Sequence, residues 1–153
     1  MARDVALPTP EDTHAFGRWL GARLHAGDLV VLTGDLGAGK TTLAQGLGEG
    51  LGVRGPVTSP TFVISRIHPS LVGGPALVHV DAYRVGSRLE LDDLDLDADL
   101  DESVTVVEWG AGVAEQLSDS RLEISLTGDD ERIARLVAVG PRWERLLDSL
   151  IQL

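Results

Sequence analysis

The chain has 153 residues, a length suited to one domain with its own core, and 43% of them are apolar. It contains no cysteine, which excludes disulfides, thiolate metal sites and cysteine nucleophiles. A formal net charge of -11 opposes strong direct binding to nucleic acid, which needs clustered Lys and Arg, and no apolar run approaches the roughly 18 residues of a membrane span. The opening Met1-Ala2-Arg3-Asp4-Val5 lacks the apolar stretch of a secretory signal. The expectation is therefore a single cytoplasmic domain over residues 1–153 with no membrane association.

After a short apolar opening, Thr9-Pro10-Glu11-Asp12 offers an N-cap, a proline at the first helical position and acids over the helix dipole. This predicts a helix running to about Leu24, with Phe16, Trp19, Leu20 and Leu24 at helical spacing as its core face. Leu29-Val30-Val31-Leu32 is a continuous apolar run, the pattern of a strand buried on both faces of a parallel sheet. A second helix is expected over 41–51, with Leu43, Leu47 and Leu51 four apart. Its Gly46, Gly48 and Gly50 each cost about 1 kcal/mol relative to alanine. Further strands are expected at 61–67, 76–80, 104–107, 122–126 and 133–139. The last two form an antiparallel hairpin around Gly128-Asp129-Asp130. A closing helix over 141–150 begins with a proline and carries Trp143, Leu146, Leu147 and Leu150 on one side.

Between the first strand and the second helix lies Gly34-Asp35-Leu36-Gly37-Ala38-Gly39-Lys40-Thr41, which fits G-x-x-x-x-G-K-[ST] in the strand-then-helix context that gives the pattern meaning. Glycines let the backbone close into a nest of N–H groups around phosphates, and the helix N-terminus adds partial positive charge. Lys40, the single lysine of the chain, is placed to reach the β and γ phosphates. Thr41 offers a hydroxyl to Mg2+, and Thr42 completes the set of nucleotide contacts. The fold class that follows is α/β: a three-layer P-loop NTPase fold, with a mostly parallel central sheet, a C-terminal antiparallel hairpin and flanking helices.

Ligands of such sheets sit beyond the carboxyl ends of the strands. Asp81 closes Leu77-Val78-His79-Val80, and Glu108 closes Val104-Thr105-Val106-Val107, so both acids are expected at the level of the glycine-rich loop with Thr41. One can hold Mg2+ and the other can orient or deprotonate an attacking water; the preferred assignment is Asp81 to the metal and Glu108 to the water. The plainer alternative is that each acid caps a neighbouring helix or turn. His79 reads as a packed strand residue, the histidines lack zinc-ligand spacing, and the acid-dense stretch 92–102 reads as a solvated face.

Taken in order, the glycine-rich loop, Ser59-Pro60-Thr61-Phe62, His79-Val80-Asp81-Ala82-Tyr83-Arg84 and Glu108-Trp109 closely resemble the TsaE family of bacterial tRNA threonylcarbamoyladenosine biosynthesis ATPases. The resemblance implies an ATPase, with ATP and Mg2+ as cofactors, that assists a two-protein transferase complex in modifying the adenosine beside the anticodon. It implies a switch-like loop around Thr61, the Mg2+ acid at Asp81, and Glu108 with Trp109 at the catalytic end. Asp35 is an acid the family commonly carries inside its loop, where it serves either to position water or in turn chemistry. Two other readings share the cradle: a small-molecule kinase of the P-loop class, and a nucleotide-gated binding module with negligible hydrolysis. A GTPase is disfavoured because [NT]-K-x-D needs a second lysine.

Overall fold

The computed structural model describes residues 2–34, 39–53, 65–81, 102–108, 120–127 and 132–149. Among them, β1 (Ala2–Leu7), β2 (Leu29–Gly34), β3 (Ser65–His68), β4 (Leu77–Asp81), β5 (Val104–Glu108), β6 (Arg121–Thr127) and β7 (Arg132–Val139) form one seven-stranded sheet in the order β1-β7-β6-β2-β5-β4-β3. β4, β5, β2 and β6 run parallel at its centre. Both edges are antiparallel, β3 on β4 at one side and β6-β7-β1 at the other. The α/β expectation holds, with the expected hairpin as β6 and β7. β1 and the antiparallel placement of β3 add to it.

The apolar run of β2 is buried through Leu32, and β5 is buried along its whole length, as central strands of a covered sheet must be. β6 instead alternates, burying Leu122, Ile124 and Leu126. Those side chains join Val30, Leu32 and Val106 in a core that also takes in Phe16, Leu20, Leu43 and Leu47. Val31, Val80 and Val107, which alternation turns to the opposite side of the sheet, are buried too.

Helix α1 (Pro10–Gly21) starts at a capping box: Thr9 accepts from the Asp12 N–H, and the Asp12 carboxylate accepts from the Thr9 N–H. It ends three residues before the expected Leu24, yet Leu24 stays buried, its N–H bonded to the Gly21 carbonyl. Helix α2 (Lys40–Leu51) packs so closely on α1 that glycine is required where they cross. A Cβ on Gly17 would overlap the Leu43 carbonyl oxygen, one on Gly21 that of Leu47, one on Gly46 that of His14 and one on Gly50 that of Arg18. A contact between His14 Nε2 and the Glu49 carboxylate also joins the two helices.

Helix α3 (Pro141–Ser149) buries Trp143, Leu146 and Leu147 in the same core. Arg142 braces it to the start of β2, donating from Nε to Asp28 Oδ1 at 2.8 Å and from Nη2 to Asp28 Oδ2, while Asp28 Oδ2 also accepts from the His25 N–H. The hydrogen bonds to Asp28 raise the Arg142 pKa above arginine's ordinary value, against a smaller opposing effect of burial. The guanidinium is therefore charged at every working pH, and its contribution is lost only in strongly alkaline solution. No helix among the described residues is long and apolar enough to cross a membrane.

Candidate functional site

The parallel strands bring the ends of β2, β4, β5 and β6 to one edge of the sheet. β2 finishes there at Gly34, and α2 departs from the same edge. Lys40 folds back across the gap: its Nζ donates to the Gly34 carbonyl at 2.7 Å, and the side chain is largely buried. The lysine thus ties the first residue of the glycine-rich loop to the first turn of the helix. The loop's Asp35, Leu36, Gly37 and Ala38 lie outside the described residues.

The two helix starts differ in a way that bears on ligand binding. α1 is closed by its capping box and carries Glu11 and Asp12 in its first turn. α2 begins at Gly39, which has φ of 99° and no side-chain cap, and it has no acid in its first turn. Its first internal hydrogen bond runs from the Leu43 N–H to the Gly39 carbonyl at 2.9 Å, so the N–H groups of Lys40, Thr41 and Thr42 precede the helical ladder. A helix start without a side-chain cap, beside a buried ammonium, fits a polyphosphate, and acids placed there would repel one. Thr41 is exposed and Thr42 half-buried at this start.

Register sets the acids beside this cradle. Leu32 on β2 faces Glu108 on β5, and Glu108 faces Asp81 on β4. Neighbouring strands lie about 5 Å apart, so the two acids end adjacent strands at the level of Leu32, two residues before Gly34. The Glu108 side chain is buried, and His79 Nε2 approaches its Oε1 to 3.6 Å. The structure therefore brings Gly34, Gly39, Lys40, Thr41, Thr42, Asp81 and Glu108 to one edge, whereas Thr61 and Trp109 lie outside the described residues. So do Arg84 and Arg88, the arginines nearest the site in sequence.

One neighbour of the cradle was not legible in the sequence. Arg132, at the first position of β7, lies across Gly39, where a Cβ would come within 3.0 Å of its Nε. It is far from the loop along the chain, and only the β2-β6-β7 order brings it there. On the β6 side of the sheet, opposite the acids, it adds a second positive charge to that of Lys40. β6 is held to β2 just below the loop by a 2.9 Å hydrogen bond between the Thr33 and Ser125 hydroxyls.

A family model described as threonylcarbamoyl adenosine biosynthesis protein TsaE matches residues 7–137, a span that includes the cradle, both acids and Arg132. The chain belongs to the TsaE family. It is 58% identical over 134 residues to the tRNA threonylcarbamoyladenosine biosynthesis protein TsaE of Streptomyces coelicolor, covering 83% of this chain and 90% of that protein. The TsaE of Bacillus subtilis is 42% identical, with 92% and 89% covered. Among solved structures, the crystal structure of Bacillus subtilis YdiB superposes with a TM-score of 0.79 and 35% identity, covering 99% of this chain and 95% of that one. The TsaE resemblance read from the four sequence blocks is thereby borne out.

Proposed function

We propose that this TsaE-family chain binds and hydrolyses ATP with Mg2+ in support of threonylcarbamoyl modification of tRNA, acting with a two-protein transferase complex. The observation that carries the reading is the cradle: Lys40 anchored on Gly34 at an uncapped helix start, with Glu108 and Asp81 ending the neighbouring strands. The pathway part rests on the family and on the names of its relatives.

In this reading Lys40 leaves the Gly34 carbonyl for the β and γ phosphates, and the N–H groups at the start of α2 bind their oxygens. Gly34, Asp35, Leu36, Gly37, Ala38 and Gly39 wrap the phosphate chain. Thr41 and Asp81 hold Mg2+, which when bound offsets phosphate charge. Glu108 orients or deprotonates the attacking water, with Asp35 and Thr61 beside it and Trp109 against the nucleotide. ATP is preferred over GTP because the chain has no second lysine for guanine selection.

The test is phosphate release from ATP by the purified chain, with and without the two transferase subunits. Slow, Mg2+-dependent release that rises when both subunits are added is expected. Lys40→Ala should remove nucleotide binding in a calorimetric titration, weakening it at least about 100-fold. Normal ATP affinity in that variant, or turnover indifferent to the subunits, would count against the proposal.

A further inference from the structure

We infer that His79 is a positioning residue for Glu108, holding the carboxylate through a hydrogen bond from its Nε2–H; the inference rests on the hydrolytic reading above. His79 lies in β4 opposite Val106, two residues before the pair formed by Asp81 and Glu108. Side chains two apart along a strand share a face, so His79 and Glu108 meet on the side of the sheet that carries Val30, Leu32 and Val106. The imidazole is 0% exposed and Glu108 is 3% exposed. Nε2 stands 3.6 Å from Oε1, and among the described residues neither ring nitrogen of His79 has a hydrogen-bond partner.

A fully buried imidazole without a partner costs about 1–3 kcal/mol. Its neighbours Leu77, Val78 and Val80 show what the strand uses where only packing matters. Nothing in the described contacts of His79 offsets that cost, and the polar group it faces is Glu108. An ionised carboxylate only accepts, so the productive contact has the proton on Nε2. The gap exceeds an ordinary N–H···O bond by about 0.5 Å, a distance that a small rotation of the Glu108 side chain closes. With one oxygen held from within the sheet, the other is fixed for water, and the gain lies in orientation. His79 itself touches neither water nor nucleotide.

The experiment compares His79→Leu, which keeps apolar volume, with His79→Gln, whose amide can return a donor near the Nε2 position, each alone and combined with Glu108→Gln. Turnover of MgATP is read together with the 1H–15N spectrum of the imidazole, assigned by its loss in His79→Leu. In His79→Leu, kcat should fall about tenfold or more while KM stays within about twofold, and the melting temperature should hold or rise. His79→Gln should recover to within about threefold of the parent. Neither change should lower turnover further in the Glu108→Gln background. In the spectrum Nε2 should carry the proton and shift on Glu108→Gln. A kcat in His79→Leu within about twofold of the parent, no recovery in His79→Gln, or an Nε2 that is aprotic or indifferent to Glu108→Gln overturns the inference. If Glu108→Gln hydrolyses ATP like the parent, the hydrolytic reading fails and takes the positioning role with it. If Glu108→Gln is inactive and His79→Leu is not, the inference alone fails.

Discussion

Lys40 and Arg132 form the positive end of the site, and they differ in how they could be found. Lys40 announces itself by spacing, because the motif needs its chemistry six residues after Gly34. Arg132 carries no local signal; its place over Gly39 comes from strand order alone. A guanidinium beside a phosphate cradle raises the local potential for anions without depending on the loop's own geometry. Arg132→Ala is therefore expected to weaken ATP binding about tenfold in titration calorimetry while leaving the melting temperature nearly unchanged. Unchanged affinity would confine Arg132 to its contacts within the fold. Glu108 was legible as the acid ending an apolar strand. Its contact with His79 was not, since it depends on the register of β4 against β5.

Helices α1 and α2 show where composition misleads at the level of the element. Propensity marks Gly46 as a weakness of about 1 kcal/mol that alanine would repair. The crossing reverses the sign, because a Cβ on Gly46 would overlap the backbone carbonyl oxygen of His14, and backbone cannot turn aside as a long side chain can. Gly46→Ala is expected to destabilise the protein by about 1–3 kcal/mol in urea unfolding, and the loss should come with a separation of the two helices. A stabilised variant would show that the contact relaxes freely. The start of α1 was legible down to Thr9, because capping chemistry is local. β1 was not: along Ala2–Leu7 burial alternates, but only Val5 and Leu7 are large apolar residues on the inner face, too short a signal to read, and the strand exists through its pairing with β7.

For the whole molecule, the parallel centre followed from the continuous apolar run of β2, while the edges depended on pairings between segments distant in the chain. Charge is the other whole-molecule property, and the fold sharpens its meaning. Several arginines of the described surface are already matched within the chain: Arg3 lies near Asp148, Arg121 near Glu123, Arg135 near Asp4 and Arg142 on Asp28. Arg23 lies over the Trp19 ring with its centre 4.2 Å away. Arginines already paired with carboxylates have less charge left to displace the counterions condensed on a polyanion, and a net charge of -11 repels one at long range. The isolated chain should therefore retain tRNA poorly on a filter at 50 mM salt. Raising the salt to 200 mM should change that little, where a protein making 6–10 phosphate contacts would lose roughly 10³ to 10⁵ in affinity. Tight retention that collapses with salt would mean that a basic surface forms outside the described residues, and that the route to tRNA need not pass through a partner protein.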